Sequence, residues 1–301
     1  MSEPADEYAP ILRREWIDLI GAHRPEDAAW RVTERGDGAL GRRIVLELQS
    51  YGARLEGVLL LPGSAAPSAV VIVPFYDVES LLGHVSRLYP DVGARPTRAF
   101  AREIAAAGLG VLAVPWWAEA AARPAASLDL HERYGPAALH HLERHPHVTG
   151  LGRSVADLLL SIDALEQLDE VDSARIGVFG HSLGGKLALF AAALDPRIRA
   201  AVSHEPGLGF AHSNWSDTWY LGSRVPADRD LDEVLRLVSP RPILYAGGGA
   251  ADGEHNEELV RSATSAGSRV EILRHGGGHP LPEDVLATMI DWLRARLARS
   301  A

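Results

Sequence analysis

The sequence contains no cysteine among its 301 residues, which excludes disulfides, thiolate metal sites and a cysteine nucleophile. Positive charge is also scarce, because 30 basic residues face 40 acidic ones and the formal net charge is −10. This balance disfavours nucleic-acid binding, which needs a basic face to neutralise phosphates. The apolar runs, such as Ala69–Val73 and Val111–Val114, are far shorter than the roughly 20 residues that cross a bilayer. We therefore expect neither nucleic acid nor membrane as a partner.

The N-terminal segment is acidic and has no apolar core of the signal-peptide kind, so we expect a cytoplasmic protein. Apolar residues make up 47% of the chain and charged residues 23%, which is typical of a folded globular protein. This length suits two small domains or one large α/β domain. We interpret residues 1–301 as a single domain.

From Ala69 onward, apolar strand-like runs alternate with helical patterns. The run Ala69–Val73 has the continuous apolar character of a strand that is buried on both faces. Two earlier runs, Arg43–Leu48 and Arg54–Leu61, predict an antiparallel pair. Alternation with short connections predicts right-handed crossovers and a parallel sheet.

Two long stretches interrupt this alternation, at 116–152 and at 206–239. Both contain prolines, and both follow predicted strands. Long insertions at the carboxyl ends of parallel strands usually cover a site. We predict that the two stretches form a small cap.

The strongest chemical signal is the pentapeptide Gly-His-Ser-Leu-Gly at residues 180–184. It follows the apolar run Arg175–Phe179 and opens a predicted helix, Gly184–Leu194. This is the context of the G-x-S-x-G nucleophile elbow, where a serine on a sharp strand-to-helix turn needs small neighbours. We predict Ser182 as the nucleophile. The N–H of Leu183 at the helix N-terminus is the expected first oxyanion donor.

A nucleophilic serine needs a base and an acid that orients the base. His279 lies between the last predicted strand and the last helix, where the chain order serine, acid, histidine places the base; His275 is the lesser candidate. Asp252 follows the predicted strand Arg241–Ala246 at the usual position of the acid, and we favour it. Glu205, after the preceding strand, is the alternative acid. Either carboxylate would hold the histidine tautomer and stabilise the imidazolium.

The second oxyanion donor should come from the loop after Ala69–Val73. Pro74 has no N–H, so Tyr76 is the prediction and Phe75 the reserve. Aromatic residues of the two predicted cap stretches are candidates for lining the substrate pocket, with plain packing as the alternative: they are Trp116, Trp117, Trp215, Trp219 and Tyr220.

Two other patterns in the sequence indicate different chemistry, a phosphate-binding loop and a metal site. Gly180, Gly185 and Lys186 fit most of a phosphate-binding loop, but Leu187 stands where that motif has the magnesium-binding hydroxyl. His141 and His145 share a predicted helical face, but no cysteine or nearby aspartate completes a set of metal ligands. We therefore expect no metal and no organic cofactor.

Several longer segments carry a family resemblance, from about Arg43 onward. They read TGLGRSVAD, VDSARIGVFGHSLGGKLAL, ALDPRIRAAVSHEPG, SNWSDTWYLG, RPILYAGG and GHPLP. The chain resembles the α/β-hydrolase superfamily of serine esterases, in particular the group that is like dienelactone hydrolases and acetyl xylan esterases. The resemblance implies an α/β-hydrolase fold with a mostly parallel eight-stranded sheet, helices on both faces and a small cap. It also implies hydrolysis of an ester.

The chain is similar to glucuronoyl esterases as well. Those enzymes have an elbow of the form G-H-S-R-x-G-K, and their acid can be a glutamate at the position of Glu205. This sequence differs at Leu183, where they have an arginine that helps to hold the oxyanion. Dienelactone hydrolases proper use a cysteine where Ser182 stands, which argues against a dienelactone substrate.

The sequence thus predicts a serine hydrolase that cleaves a small-molecule carboxylic ester through an acyl-enzyme. Amide, lactone or thioester hydrolysis by the same triad is an alternative. A non-catalytic α/β-hydrolase scaffold that binds a ligand is another, although the intact serine, histidine and acid argue against it.

Overall fold

A mostly parallel sheet runs through the protein. The computed structural model describes residues 5–63, 67–88, 98–122, 129–249 and 251–298. Within them the sheet has nine strands in the order β1-β2-β3-β5-β4-β6-β7-β8-β9. The strands are β1 (Ala29–Gly38), β2 (Gly41–Ser50), β3 (Ala53–Leu61), β4 (Ser68–Phe75), β5 (Gly110–Pro115), β6 (Val171–His181), β7 (Ile198–His204), β8 (Ile243–Gly247) and β9 (Val270–Arg274).

The first three strands are antiparallel, and β4 to β9 run parallel to one another. The predicted antiparallel pair is confirmed as β2 and β3, with Val45 opposite Val58. The expected number of strands was wrong by one, because β1 adds an edge strand beside β2. Most of β1 is exposed, and Trp30 and Val32 are its only large apolar residues, so its sequence carries little strand signal.

Helices cover both faces of the sheet, as predicted. Their bounds are α1 (Ala5–Ile20), α2 (Val78–Leu81), α3 (Phe100–Ala106), α4 (Trp117–Ala121), α5 (Leu130–Arg144), α6 (Gly150–Glu166), α7 (Leu183–Leu194), α8 (Leu231–Val238), α9 (Glu257–Ser265) and α10 (Glu283–Arg296). One core joins the sheet to α1, α6, α7 and α8, and a second joins the other face to α3 and α10. No helix in the described ranges is both long and apolar enough to cross a membrane.

Both interrupting stretches contribute residues to the larger core of this body. Stretch 116–152 holds α4, α5 and the start of α6, while residues 123–128 lie outside the described part. Stretch 206–239 contains two single turns of 3-10 helix and ends in α8. Helix α8 buries Leu231, Val234 and Leu235 and packs against α7, so this part of the predicted cap belongs to the body.

The topology explains where a site can form. Strands β4, β6, β7, β8 and β9 are parallel, so the loops that follow them meet at one edge of the sheet. In open α/β sheets, ligands bind at the carboxyl ends of the strands. Every residue that the sequence assigned to the triad lies in one of these loops.

Candidate active site

Ser182 lies on a strained turn between β6 and α7. Its backbone has φ 56° and ψ −119°, in the region that side chains other than glycine rarely adopt. The turn is tight enough that a Cβ on Gly180 would lie 1.8 Å from the carbonyl oxygen of Gly184. A Cβ on Gly185 would lie 2.5 Å from the carbonyl oxygen of His204. The strand–turn–helix context predicted for the serine is therefore present, and these glycines make it possible.

His279 reaches the serine from the loop between β9 and α10. Its Nε2 lies 3.0 Å from Ser182 Oγ, within hydrogen-bond distance. The imidazole side chain is 54% exposed, so a substrate could approach this pair from solvent. The structure thus brings together the predicted nucleophile and the predicted base.

Glu205 lies on the other side of this imidazole. Its Oε2 is 3.5 Å from His279 Nδ1, and its Oε1 accepts hydrogen bonds from the N–H groups of Gly248 (2.5 Å) and Gly249 (2.6 Å). The carboxylate has no exposed surface. Burial alone would raise the pKa of Glu205, but the contact with His279 and the two backbone donors outweigh it and lower the pKa. The carboxylate is therefore ionised at neutral pH.

The preferred acid, Asp252, is turned elsewhere. Its two oxygens accept hydrogen bonds from the N–H groups of Gly207 (2.5 Å) and Leu208 (2.8 Å) and from the hydroxyl of Tyr245 (2.7 Å). Burial raises the pKa of Asp252, although the same three donors act in the opposite direction. The structure contradicts the placement of Asp252 beside the base, because its carboxylate holds the loop after β7, and Glu205 lies beside His279.

A signal for this arrangement was present in the sequence. Gly247 ends β8 and Gly248 and Gly249 follow it, and a Cβ on Gly249 would lie 2.6 Å from Oε2 of Glu205. The last two glycines leave room for the carboxylate and supply its N–H donors. A glycine run next to a predicted strand end could have been read as a nest for an anion.

The two expected oxyanion donors lie in suitable elements. Leu183 is the first residue of α7, where backbone N–H groups have no acceptor inside the helix. Tyr76 follows β4, the sheet neighbour of β6, and its carbonyl accepts a 3.2 Å bond from the N–H of Trp116. This bond ties the loop after β4 to the end of β5.

The aromatic residues that could have lined a pocket are buried. Their exposures lie between 0% and 5%, and all belong to the larger hydrophobic core: Trp116, Trp117, Trp215, Trp219 and Tyr220. The indole N–H of Trp215 donates to the carbonyl of Gly207 at 2.7 Å, so this ring packs behind the loop after β7. Burial supports the packing alternative.

Lys186 faces the same loop. Its ammonium donates to the carbonyl of Pro206 (2.7 Å) and the hydroxyl of Ser213 (2.9 Å) and lies 3.8 Å from the ring centre of Trp215. Burial lowers the pKa of Lys186 to about 7, with Asp252 acting in the opposite direction. A phosphate-binding lysine would have to be free for its ligand, and this one is engaged within the fold.

The metal alternative at His141 and His145 gains no support. Nδ1 of His141 lies 3.3 Å from a guanidinium nitrogen of Arg153, which would repel a cation. Within the described ranges, one other group has ligand atoms close enough for a metal, all within 4.8 Å of one another: His204, Glu205 and His275. No sequence pattern indicated a role for His204, and His275 was considered only as a candidate base.

Comparisons with known proteins show similarity to esterases and hydrolases. A family model described as "Glucuronyl esterase, fungi" matches residues 159–219, the segment that carries Ser182 and Glu205. The "Putative hydrolase YtaP" of Bacillus subtilis is 25% identical over 201 residues, which are 61% of this chain and 63% of that protein. The chain thus spans less than two thirds of the length of this curated relative.

Solved structures resemble the whole chain. A glucuronoyl esterase from Solibacter usitatus superposes with a TM-score of 0.70 at 17% identity, covering 96% of this chain and 92% of that one. A protein from Bacteroides fragilis named as a "putative acetyl xylan esterase" superposes with a TM-score of 0.70 at 18% identity, covering 93% and 77%. Likeness at this identity shows the fold, and the predicted α/β-hydrolase fold is confirmed.

Proposed function

We propose that this α/β-hydrolase-fold chain is a serine hydrolase of carboxylic esters, with Ser182 as nucleophile, His279 as base and Glu205 as the acid that orients the base. The observation that carries the proposal is the 3.0 Å contact of Ser182 Oγ with His279 Nε2. An ionised, buried carboxylate lies on the far side of the same ring. The names of the similar proteins, which are esterases or hydrolases, support the same reaction class.

The reaction begins with proton transfer from the serine. Nε2 of His279 takes the proton of Ser182 Oγ while that oxygen attacks the ester carbonyl. The carbonyl π electrons move to its oxygen, which the N–H of Leu183 and the N–H of Tyr76 stabilise. When the C–O bond to the alcohol breaks, His279 returns the proton to the leaving oxygen. A water molecule, deprotonated by the same nitrogen, then attacks the acyl-enzyme and releases the acid.

Glu205 acts through the other nitrogen of the base. It holds the proton of His279 on Nδ1, so that Nε2 is free to accept, and it stabilises the imidazolium that forms. The 3.5 Å separation is long for a hydrogen bond, and such contacts often tighten when charge develops in the reaction. The two N–H donors on Oε1 fix the carboxylate. The fixed carboxylate in turn restricts the movement of the base.

The residue at position 183 bears on which class of ester the protein cleaves. Glucuronoyl esterases resemble this chain in overall fold, but Leu183 stands where their elbow has the arginine that helps to hold the oxyanion. We therefore propose an ester other than a uronate ester, such as an acetyl ester.

An activity-based probe tests the mechanism. A fluorophosphonate should add one label, on the peptide that contains Ser182, and Ser182→Ala should lose both the label and the hydrolysis of p-nitrophenyl acetate. Loss of the nucleophile of a serine triad costs about 10⁶ in kcat. Ser223→Ala, at an exposed serine, is the matched control and should keep both.

The substrate class is tested by measuring the rate of hydrolysis of p-nitrophenyl esters of rising acyl length, acetylated sugars and a methyl ester of glucuronic acid. Faster cleavage of acetyl esters than of the uronate ester would support the proposal. A label outside the Ser182 peptide, or full activity in Ser182→Ala, would exclude the mechanism.

A further inference from the structure

A histidine stands at the end of each strand that carries a member of the proposed triad. His181 ends β6, directly before the serine, and His204 ends β7, directly before the acid. His275 follows β9 and opens the loop that carries the base. The mechanism above uses none of the three.

The three side chains are hydrogen-bonded in series. Nδ1 of His181 lies 2.7 Å from Nδ1 of His204, and Nε2 of His204 lies 2.9 Å from Nε2 of His275. His181 and His204 are register partners on neighbouring strands. The second bond joins residues at the ends of strands that are not neighbours, because β8 lies between β7 and β9 in the sheet.

Glycine at the end of β8 is what lets His204 reach His275 across that strand. His204 is the register partner of Ala246, and β8 ends at Gly247, directly before Gly248. A Cβ on Gly248 would lie 2.0 Å from the carbonyl oxygen of His275 and 2.9 Å from its Nδ1. A side chain at that position would therefore displace His275 from the series.

The bonds run in one direction, and that direction assigns the proton of each ring. The N–H of Gly277 lies 3.2 Å from Nδ1 of His275 and donates to it, so the proton of this ring is on Nε2. His275 then donates to Nε2 of His204, whose own proton must be on Nδ1. His204 donates in turn to Nδ1 of His181, which leaves the proton of His181 on Nε2.

The series is stable only while its members are neutral. A proton added to His181 would put two donors face to face at the 2.7 Å contact, and one added to His204 would do so at the 2.9 Å contact. Burial lowers the pKa of His204 to about 3 and that of His181 well below its usual value. The ring planes of His204 and His275 are nearly parallel, with 14° between them and 5.1 Å between the ring centres.

We propose that His181, His204 and His275 form a neutral hydrogen-bonded bridge that positions the three loops of the triad relative to one another. The bridge touches the base as well, because the ring of His181 packs against that of His279 at 5.0 Å. These histidines are positioning residues, since none of them is within the contacts of Ser182 Oγ that the reaction uses. The proposal rests on the proposed function and adds what holds its parts at reacting distance.

Two variants at His275, the half-buried end of the bridge, test the role. His275→Leu removes the donor to His204, and displacement of a reacting group by about 1 Å can cost 100-fold in rate. We expect a fall of about that size in kcat, with KM little changed. His275→Gln keeps an N–H in the place of Nε2 and should restore most of the lost rate. Equal losses in both variants, with circular dichroism showing both folded, would overturn the positioning role.

Nitrogen-15 NMR of the imidazoles in the unaltered protein tests the bridge without reference to activity. We expect His204 as the Nδ1–H tautomer and His181 and His275 as Nε2–H tautomers. An Nε2–H tautomer at His204 would overturn the proposal. So would one equivalent of a transition metal in the purified protein, held by the His204, Glu205 and His275 group.

The same measurements separate this proposal from the one on which it rests. A protein that shows the expected tautomers but hydrolyses no ester and takes no label at Ser182 would overturn the proposed function, and the positioning role with it. A protein that hydrolyses esters but shows other tautomers would overturn the bridge alone.

Discussion

The loops after β7 and β8 each carry a buried carboxylate, and each carboxylate is held by the other loop. Glu205, after β7, accepts hydrogen bonds from the N–H groups of residues 248–249 in the loop after β8. Asp252, after β8, accepts them from the N–H groups of residues 207–208 in the loop after β7. The two acids thus form a reciprocal brace with the same number of backbone donors on each side.

What separates the two acids is the third partner. Glu205 places its remaining oxygen beside Nδ1 of His279, whereas Asp252 accepts from the hydroxyl of Tyr245. The environments move the pKa of Glu205 down and that of Asp252 up. A positive φ of 51° at Glu205 turns its side chain out of the direction that an extended residue would take. A carboxylate that follows a suitable parallel strand can therefore serve as a triad acid only when its side chain faces the base.

The largest expected effect that would test this difference is that of Glu205→Gln. The amide oxygen can still accept from Gly248 and Gly249, so the brace survives, but the negative charge beside His279 is lost. Loss of the orienting acid costs about 10⁴ in kcat in serine triads. Steady-state kinetics on p-nitrophenyl acetate measures the fall, and a thermal melt within a few degrees of the unaltered protein confirms that the brace is intact.

Asp252→Asn is the matched variant and should have a smaller effect on rate. An amide in this place offers one acceptor and one donor group to three donors, so it weakens the hold on Gly207 and Leu208. Leaving a buried polar group unsatisfied costs about 1–3 kcal/mol, which we expect as a lower free energy of unfolding in urea. The kcat should fall by about 10–100-fold, as for a small misplacement of a reacting group. A fall as large as that of Glu205→Gln would show that both acids serve the base.

The smallest expected effect is on how stability depends on pH between about 3 and 6. Because the folded-state pKa of Glu205 is lowered, the unfolded chain holds its proton to higher pH, and this group makes stability rise with pH. The folded-state pKa of Asp252 is raised, so the folded chain holds the proton longer and this group makes stability fall as pH rises.

Urea unfolding at several pH values therefore separates the two acids by sign. Glu205→Gln should make the slope of unfolding free energy against pH less positive, and Asp252→Asn should make it more positive. Slopes that shift in the same direction would contradict the difference between their surroundings.

Much of the fold could be predicted because its signals are local. Continuous apolar runs and helical periodicity mark β4 to β9 and the helices between them, and the boundaries differ by a few residues. The exposed edge strand β1 was missed because an edge with one partner needs few apolar residues. The burial of Trp215 and Trp219 could not be predicted either. Whether an aromatic residue in a long insertion packs in the core or lines a pocket depends on residues that are distant in the chain.

The sequence by itself determined the elbow and the position of the proposed base. A serine that must stand between a strand and a helix on a strained turn requires Gly180 and Gly185 within three residues of it, and these requirements are visible in a few consecutive letters. The position of His279 between the last strand and the last helix follows from the chain order of the fold. Both features depend on neighbours along the chain.

Only the tertiary structure shows that Glu205, and not Asp252, lies beside His279. Both follow a parallel strand, both are buried, and both accept two backbone N–H groups, so neither burial nor the number of backbone donors distinguishes them. The decision depends on where two loops point relative to a histidine more than 70 residues away from one of them. The physical reason is that the direction of a buried carboxylate is set by the donors that surround it, and here each loop supplies the donors of the other.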